Sequence, residues 1–87
     1  MHYILFYTTV DNYVERRAPF RAEQLAHARA HKDDGTLIMA GAFADPADGA
    51  ALVFTTEAAA RGFAERDPYV AQGLVERWWV RAWNVVV

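Results

Sequence analysis

The chain closes on residues 75–87, where apolar side chains occupy both registers of an extended strand: Trp78, Val80 and Val86 on one side, Val75, Trp79, Trp83 and Val85 on the other. A strand whose second face meets water alternates apolar with polar residues, so a run with no polar register belongs to a sheet covered on both sides. The pattern recurs upstream. Ile4 and Phe6 oppose Tyr3, Leu5 and Tyr7, while Leu37, Met39 and Phe43 oppose Ile38, Ala40 and Ala42. Any architecture for this chain must supply two covers for one sheet.

The remaining segments supply one of them. Residues 3–10 are aromatic and β-branched and end at the polar pair Asp11-Asn12, which predicts a first strand. Pro19 stands where a helix begins, and residues 20–32 hold only helix-tolerant types before Gly35 stops them. Residues 36–43 read as a second strand and residues 51–55 as a third, joined as a hairpin by the turn formers of residues 44–49. Thr56 followed by Glu57 caps a second helix reaching about Arg66, and residues 75–87 form the fourth strand.

The order βαββαβ predicts an α+β, ferredoxin-like sandwich over residues 1–87 as a single domain, with a four-stranded antiparallel sheet and both helices on one face. The other face is then expected to meet a second copy of the chain, because large exposed aromatic patches aggregate. A homodimer through the open sheet face also suits a core of only 87 residues. Arg77 and Arg81 share the face of Trp79 and Trp83, where they either stack on those rings or line a cleft for an anionic ligand.

A hydrophobic share of 54% excludes a disordered chain. The formal charge of −2, with acids and bases interspersed, argues against nucleic-acid or anionic-membrane partners. The absence of cysteine removes disulfide, zinc-thiolate and thiol-nucleophile chemistry. No apolar run approaches the length of a membrane span and no signal-peptide pattern follows Met1, so the cytoplasm is the expected location.

The run Tyr13-Val14-Glu15-Arg16-Arg17-Ala18-Pro19-Phe20-Arg21, the segment Leu37-Ile38-Met39-Ala40-Gly41-Ala42-Phe43, the Asp48-Gly49 hairpin, and Asp67-Pro68-Tyr69 with Gly73-Leu74 and Trp83 together resemble the YciI-like (YCII-related) domain family. The resemblance spans nearly the whole chain in the right order. It implies a ferredoxin-like fold, dimers, and in some members the removal of hydrogen chloride from a small lactone without a metal. It also implies an active-site pair made by a histidine in the first helix and the aspartate of the Asp-Pro motif. Here Asp67 is that aspartate, but Arg21-Ala22-Glu23-Gln24-Leu25 places Gln24 where the family has histidine. An amide orients a ligand but does not accept a proton near neutral pH.

His27, three residues after Gln24, is the replacement base considered, against a plain surface position. His31 follows four residues later, yet with no third ligand evident no metal site is expected. Asp67 before Pro68 also fits a helix cap, and the two roles are compatible. Tyr7, Arg21, Gln24 and Tyr69 complete the expected pocket, with Arg21 donating to a carboxylate or lactone oxygen and the tyrosines as walls with polar tips. Two functions follow. One is a cofactor-free lyase, dehalogenase or isomerase moving a proton on a small organic acid or lactone, with Asp67 and His27 as catalytic groups. The other is a non-catalytic dimeric module that binds a small ligand or serves as an accessory subunit, the family histidine having been lost.

Overall fold

In the computed structural model, which describes residues 1–87, strand β1 (His2–Thr9) runs through the interior of a four-stranded sheet. It pairs antiparallel with β3 (Gly49–Phe54) and β4 (Val75–Trp83), and β2 (Leu37–Ala42) pairs with β3, giving the order β2-β3-β1-β4. Four helices accompany the sheet: α1 (Tyr13–Arg16), α2 (Arg21–Asp33), α3 (Glu57–Arg66) and α4 (Pro68–Ala71). The arrangement is α+β and fits the ferredoxin-like fold. None of the helices is long and apolar enough to cross a membrane.

Local signals in the sequence act where they occur. Thr56 caps α3 by accepting a hydrogen bond from Ala59 N–H at 3.1 Å. Asp67 caps α4 with Pro68 at its first turn, and Gly73 takes φ +73°, a left-handed value that favours glycine, before β4 starts. Leu5, Tyr7, Leu52 and Phe54 from the sheet join Phe63, Ala60 and Ala64 of α3 in the buried core, with Phe54 and Phe63 ring centroids 5.3 Å apart.

Register divides the sheet's two faces. Leu5 opposite Val80 and Tyr7 opposite Trp78 turn toward the helices, while Ile4 opposite Arg81 and Phe6 opposite Trp79 turn away. On that open face Phe6 stacks on Trp79 at 5.5 Å, and the Arg77 guanidinium lies 4.8 Å from the Trp79 ring, the stacking anticipated for this arginine. Trp83 is 46% and Met39 64% exposed, so the face is apolar and uncovered in the single chain.

Four local expectations change. The register of β4 against β1 shifts between Arg77 and Val75, so Val75 lies in the buried core on the helix side and not on the face of Trp79 and Trp83. Leu37 and Met39 do not share a face: the register shifts between them, Leu37 opposing Phe54 and Met39 opposing Val53. The extra residue Ile38 reverses the alternation, burying Leu37 and exposing Met39. Strand β4 ends at Trp83 because Trp83 already pairs with His2 at the start of β1, leaving residues 84–87 no neighbour for a ladder. Finally, the helical region does not begin at Pro19 but at Tyr13. Helix α1 and a 3-10 turn, Ala18–Phe20, lead directly into α2, with Pro19 inside that turn.

Candidate active site

Asp67 is completely buried. Its backbone is extended between α3 and α4, and its carboxylate accepts two hydrogen bonds: Tyr69 N–H donates to Oδ1 at 2.8 Å and the Tyr7 hydroxyl donates to Oδ2 at 2.7 Å. The first bond is the helix cap. The second crosses from the corner of the helical layer to β1, joining residues sixty positions apart. Cap and buried functional group are therefore one side chain, because its two oxygens face different elements.

Burial pushes the Asp67 carboxyl above the ordinary carboxylate range, since a charge removed from water is disfavoured. Hydrogen bonds from Tyr7 and Tyr69 N–H, and more weakly the Gln24 amide and the charge of His27, pull the other way without cancelling the shift. Burial likewise holds the Tyr7 hydroxyl protonated far above its usual range, with the neighbouring Asp67 charge and their shared hydrogen bond adding to the effect. Tyr69 is raised too, mainly by burial.

Over this pair opens a cleft of about 330 Å³, between the α1–α2 segment and the helix-side face of β1, β2 and β3. Tyr7, Arg21, Gln24 and Tyr69 all line it, so the structure brings the four expected ligand-binding residues together. Asp67 lies beneath the lining and meets the cleft through Tyr7. Gly49 helps to set this floor: it pairs with Thr8, and a Cβ there would collide with the Tyr7 backbone oxygen.

His27 is placed elsewhere. Its ring stacks on Phe63 at 4.2 Å and its Nε2 lies 3.0 Å from the Phe63 carbonyl, and it does not line the cleft. A carbonyl only accepts, so Nε2 carries a hydrogen in this contact and has no lone pair for a substrate proton. The structure thus gives His27 a packing position between α2 and α3 and gives Asp67 a tyrosine instead. His31 packs edge-on against His27 at 4.8 Å, and no group of three His, Asp or Glu side chains comes together that could hold a metal ion.

Three polar residues of the cleft were not expected from the sequence: Thr9, Tyr13 and Arg17. Arg17 Nη1 donates to the Tyr13 hydroxyl at 3.3 Å, and Tyr13 packs edge-on against Tyr69 at 5.8 Å. A usable signal was present. Tyr13, Arg17, Arg21, Leu25 and Ala28 recur at helical spacing, and with Gln24 they form one stripe along the cleft.

The fold has a solved counterpart. Similarity over 97% of this chain and 94% of the other, at a TM-score of 0.78 and 20% identity, links it to 5-chloro-2-hydroxyhydroquinone dehydrochlorinase from Burkholderia phenoliruptrix AC1100, solved in complex with 2,5-dihydroxybenzoquinone. No curated protein matches the chain in sequence. The family model of the YCII-related domain matches residues 1–84, and with nearly every position covered the chain belongs to the YCII-related domain family.

Proposed function

We propose that this chain is a small cytoplasmic enzyme that moves a proton on a compact organic acid, lactone or hydroxylated ring, in the manner of a dehalogenase or isomerase and without a dedicated cofactor. The observation that carries the reading is the buried Asp67–Tyr7 pair beneath the cleft. Tyr7 donates its hydrogen to Asp67, so its oxygen offers a lone pair to the cleft. As the substrate proton moves to Tyr7 Oη, the Tyr7 hydrogen passes to Asp67 Oδ2. The electron pair left on carbon forms a double bond, expelling halide where a carbon–chlorine bond lies next to it, or forms an enolate in an isomerisation. A carboxyl held above its ordinary range is a stronger base for this transfer. Gln24 and Arg21 orient the substrate. The dehydrochlorinase of matching fold supports the reaction class.

A second reading is kept because one observation favours it. Gln24 stands in the place of the family histidine and no histidine lines the cleft, as a ligand-binding or accessory module would have it. The readings separate in turnover. Against a panel of small lactones and chlorinated hydroquinones, the enzyme reading expects activity that Asp67→Asn lowers by about 10²–10⁴-fold with ligand binding kept. Binding with no turnover of any compound selects the module, and turnover that survives Asp67→Asn refutes the Asp67–Tyr7 relay.

The open sheet face belongs to the same proposal, covered by a second copy. Four strands about 4.8 Å apart present a face about 20 Å wide and about 25 Å long. With side-chain relief, such a face is on the scale of the roughly 800 Å² per partner of a stable interface. The stacked Phe6–Trp79 pair, with Trp83 exposed at the end of β4, supplies aromatic anchors of the kind that hold such contacts.

A further inference from the structure

The polar groups of the cleft are not interchangeable, and their hydrogen bonds sort them. Tyr7 spends its hydrogen on Asp67 and faces a ligand as an acceptor. Tyr13 accepts from Arg17, which leaves its own hydrogen free to donate. Arg17 and Arg21, four residues apart on the cleft stripe, are donors only, and neither has a carboxylate within ion-pair distance: the one such pair in the molecule joins Glu57 and Arg61. No acid is among the cleft-lining residues. At the edge of the same lining the Thr9 hydroxyl is buried without any hydrogen-bond partner.

We propose that Tyr13, Arg17 and Arg21 form an anion site at one end of the cleft, which takes the carboxylate of a compact planar ring and turns the ring toward Tyr7. The inference rests on the proton-transfer reading for the role of Tyr7, but the anion site itself is a matter of binding. A guanidinium pairs with both oxygens of a carboxylate, and the Tyr13 hydroxyl adds a third donor from the side. Ala40, Ala42 and Ala50 present a wall of small side chains across the cleft, against which a flat ring lies without a steric obstacle. The site therefore selects a carboxylated ring over a neutral ring of equal size.

The test is calorimetric titration at pH 7 with benzoate and its neutral counterpart benzamide. The wild-type chain is expected to bind benzoate at least tenfold more tightly than benzamide, with affinity for benzoate falling as salt is raised. Replacing both cations, Arg17→Met with Arg21→Met, is expected to weaken benzoate by about ten- to a hundred-fold, the range for hydrogen bonds to a charged group, and to leave benzamide within threefold. Asp67→Asn, at a residue beneath the lining, is expected to hold benzoate within threefold of wild type, whereas the proton-transfer reading expects it to lose turnover, so the anion site and the chemistry fail separately. A circular dichroism melt of each variant checks that it is folded. Benzoate bound no better than benzamide, no benzoate binding at millimolar concentration, or full benzoate affinity in a folded double variant would each overturn the proposal.

Discussion

Tyr7→Phe removes one oxygen atom and leaves the ring, so it isolates the bond to Asp67 Oδ2. That bond is 2.7 Å long and both partners are buried, so no water readily replaces the lost donor. Asp67 keeps the Tyr69 N–H on Oδ1 but has one oxygen unsatisfied. The cost for a hydrogen bond to a charged group is about 1.5–3 kcal/mol. At about 4–8 °C per kcal/mol for a domain of this size, the thermal midpoint should fall on the order of 10 °C.

The cost should depend on pH. Burial raises the folded Asp67 carboxyl above its unfolded value, so at pH between the two values the native state holds a proton that the unfolded state has released. That contribution to stability is fully present below the ordinary carboxylate pKa and is lost as pH rises through the raised one. Removing Tyr7's hydroxyl deletes an influence that lowers Asp67, so the loss with rising pH should be larger and extend further in the variant. Urea unfolding of both proteins from pH 3 to pH 9 reads this directly. The two stability curves should converge at the acid end and separate toward neutrality. Parallel curves less than about 0.5 kcal/mol apart throughout would refute the buried Tyr7–Asp67 bond and with it the relay.

Gln24→His should alter stability by less than about 1 kcal/mol, since Gln24 is only half-buried at the cleft, and should add an imidazole resonance whose titration by NMR lies above the ordinary histidine range because Asp67 favours its charged form. A larger loss without a new titration would place position 24 in packed core. Trp79→Glu with Trp83→Glu should dissociate the proposed dimer, read as halved mass in light scattering, and a wild-type chain that is monomeric at micromolar concentration would remove the interface.

What the sequence determined by itself is the set of elements whose causes are local. The cap at Thr56, the Asp67-Pro68 start of α4, the glycine stop at Gly73 and the βαββαβ order depend on residues a few positions apart, and each appears where its chemistry places it. The double-faced apolar pattern of β4 likewise fixed which tryptophans share a face, because Trp78, Trp79 and Trp83 all lie past the irregularity at Glu76, where alternation is strict. In β2 one extra residue at Ile38 was enough to reverse that alternation, and nothing local to Leu37 or Met39 announces it.

Tertiary structure decided the site. Asp67 and Tyr7 lie far apart in the chain and meet only because α3 delivers Asp67 over the centre of β1. Which oxygen each donor reaches, and hence that the carboxylate speaks to the cleft through a tyrosine, is a consequence of that docking. His27 and Gln24 share α2, yet packing turned His27 onto Phe63 and Gln24 onto the cleft, a choice that a three-residue offset on a helix leaves open. Arg17 joined the cleft because Pro19 sits inside a 3-10 turn that carries the chain from α1 into α2, so the helical stripe from Tyr13 to Ala28 runs through a residue that by itself signals a break.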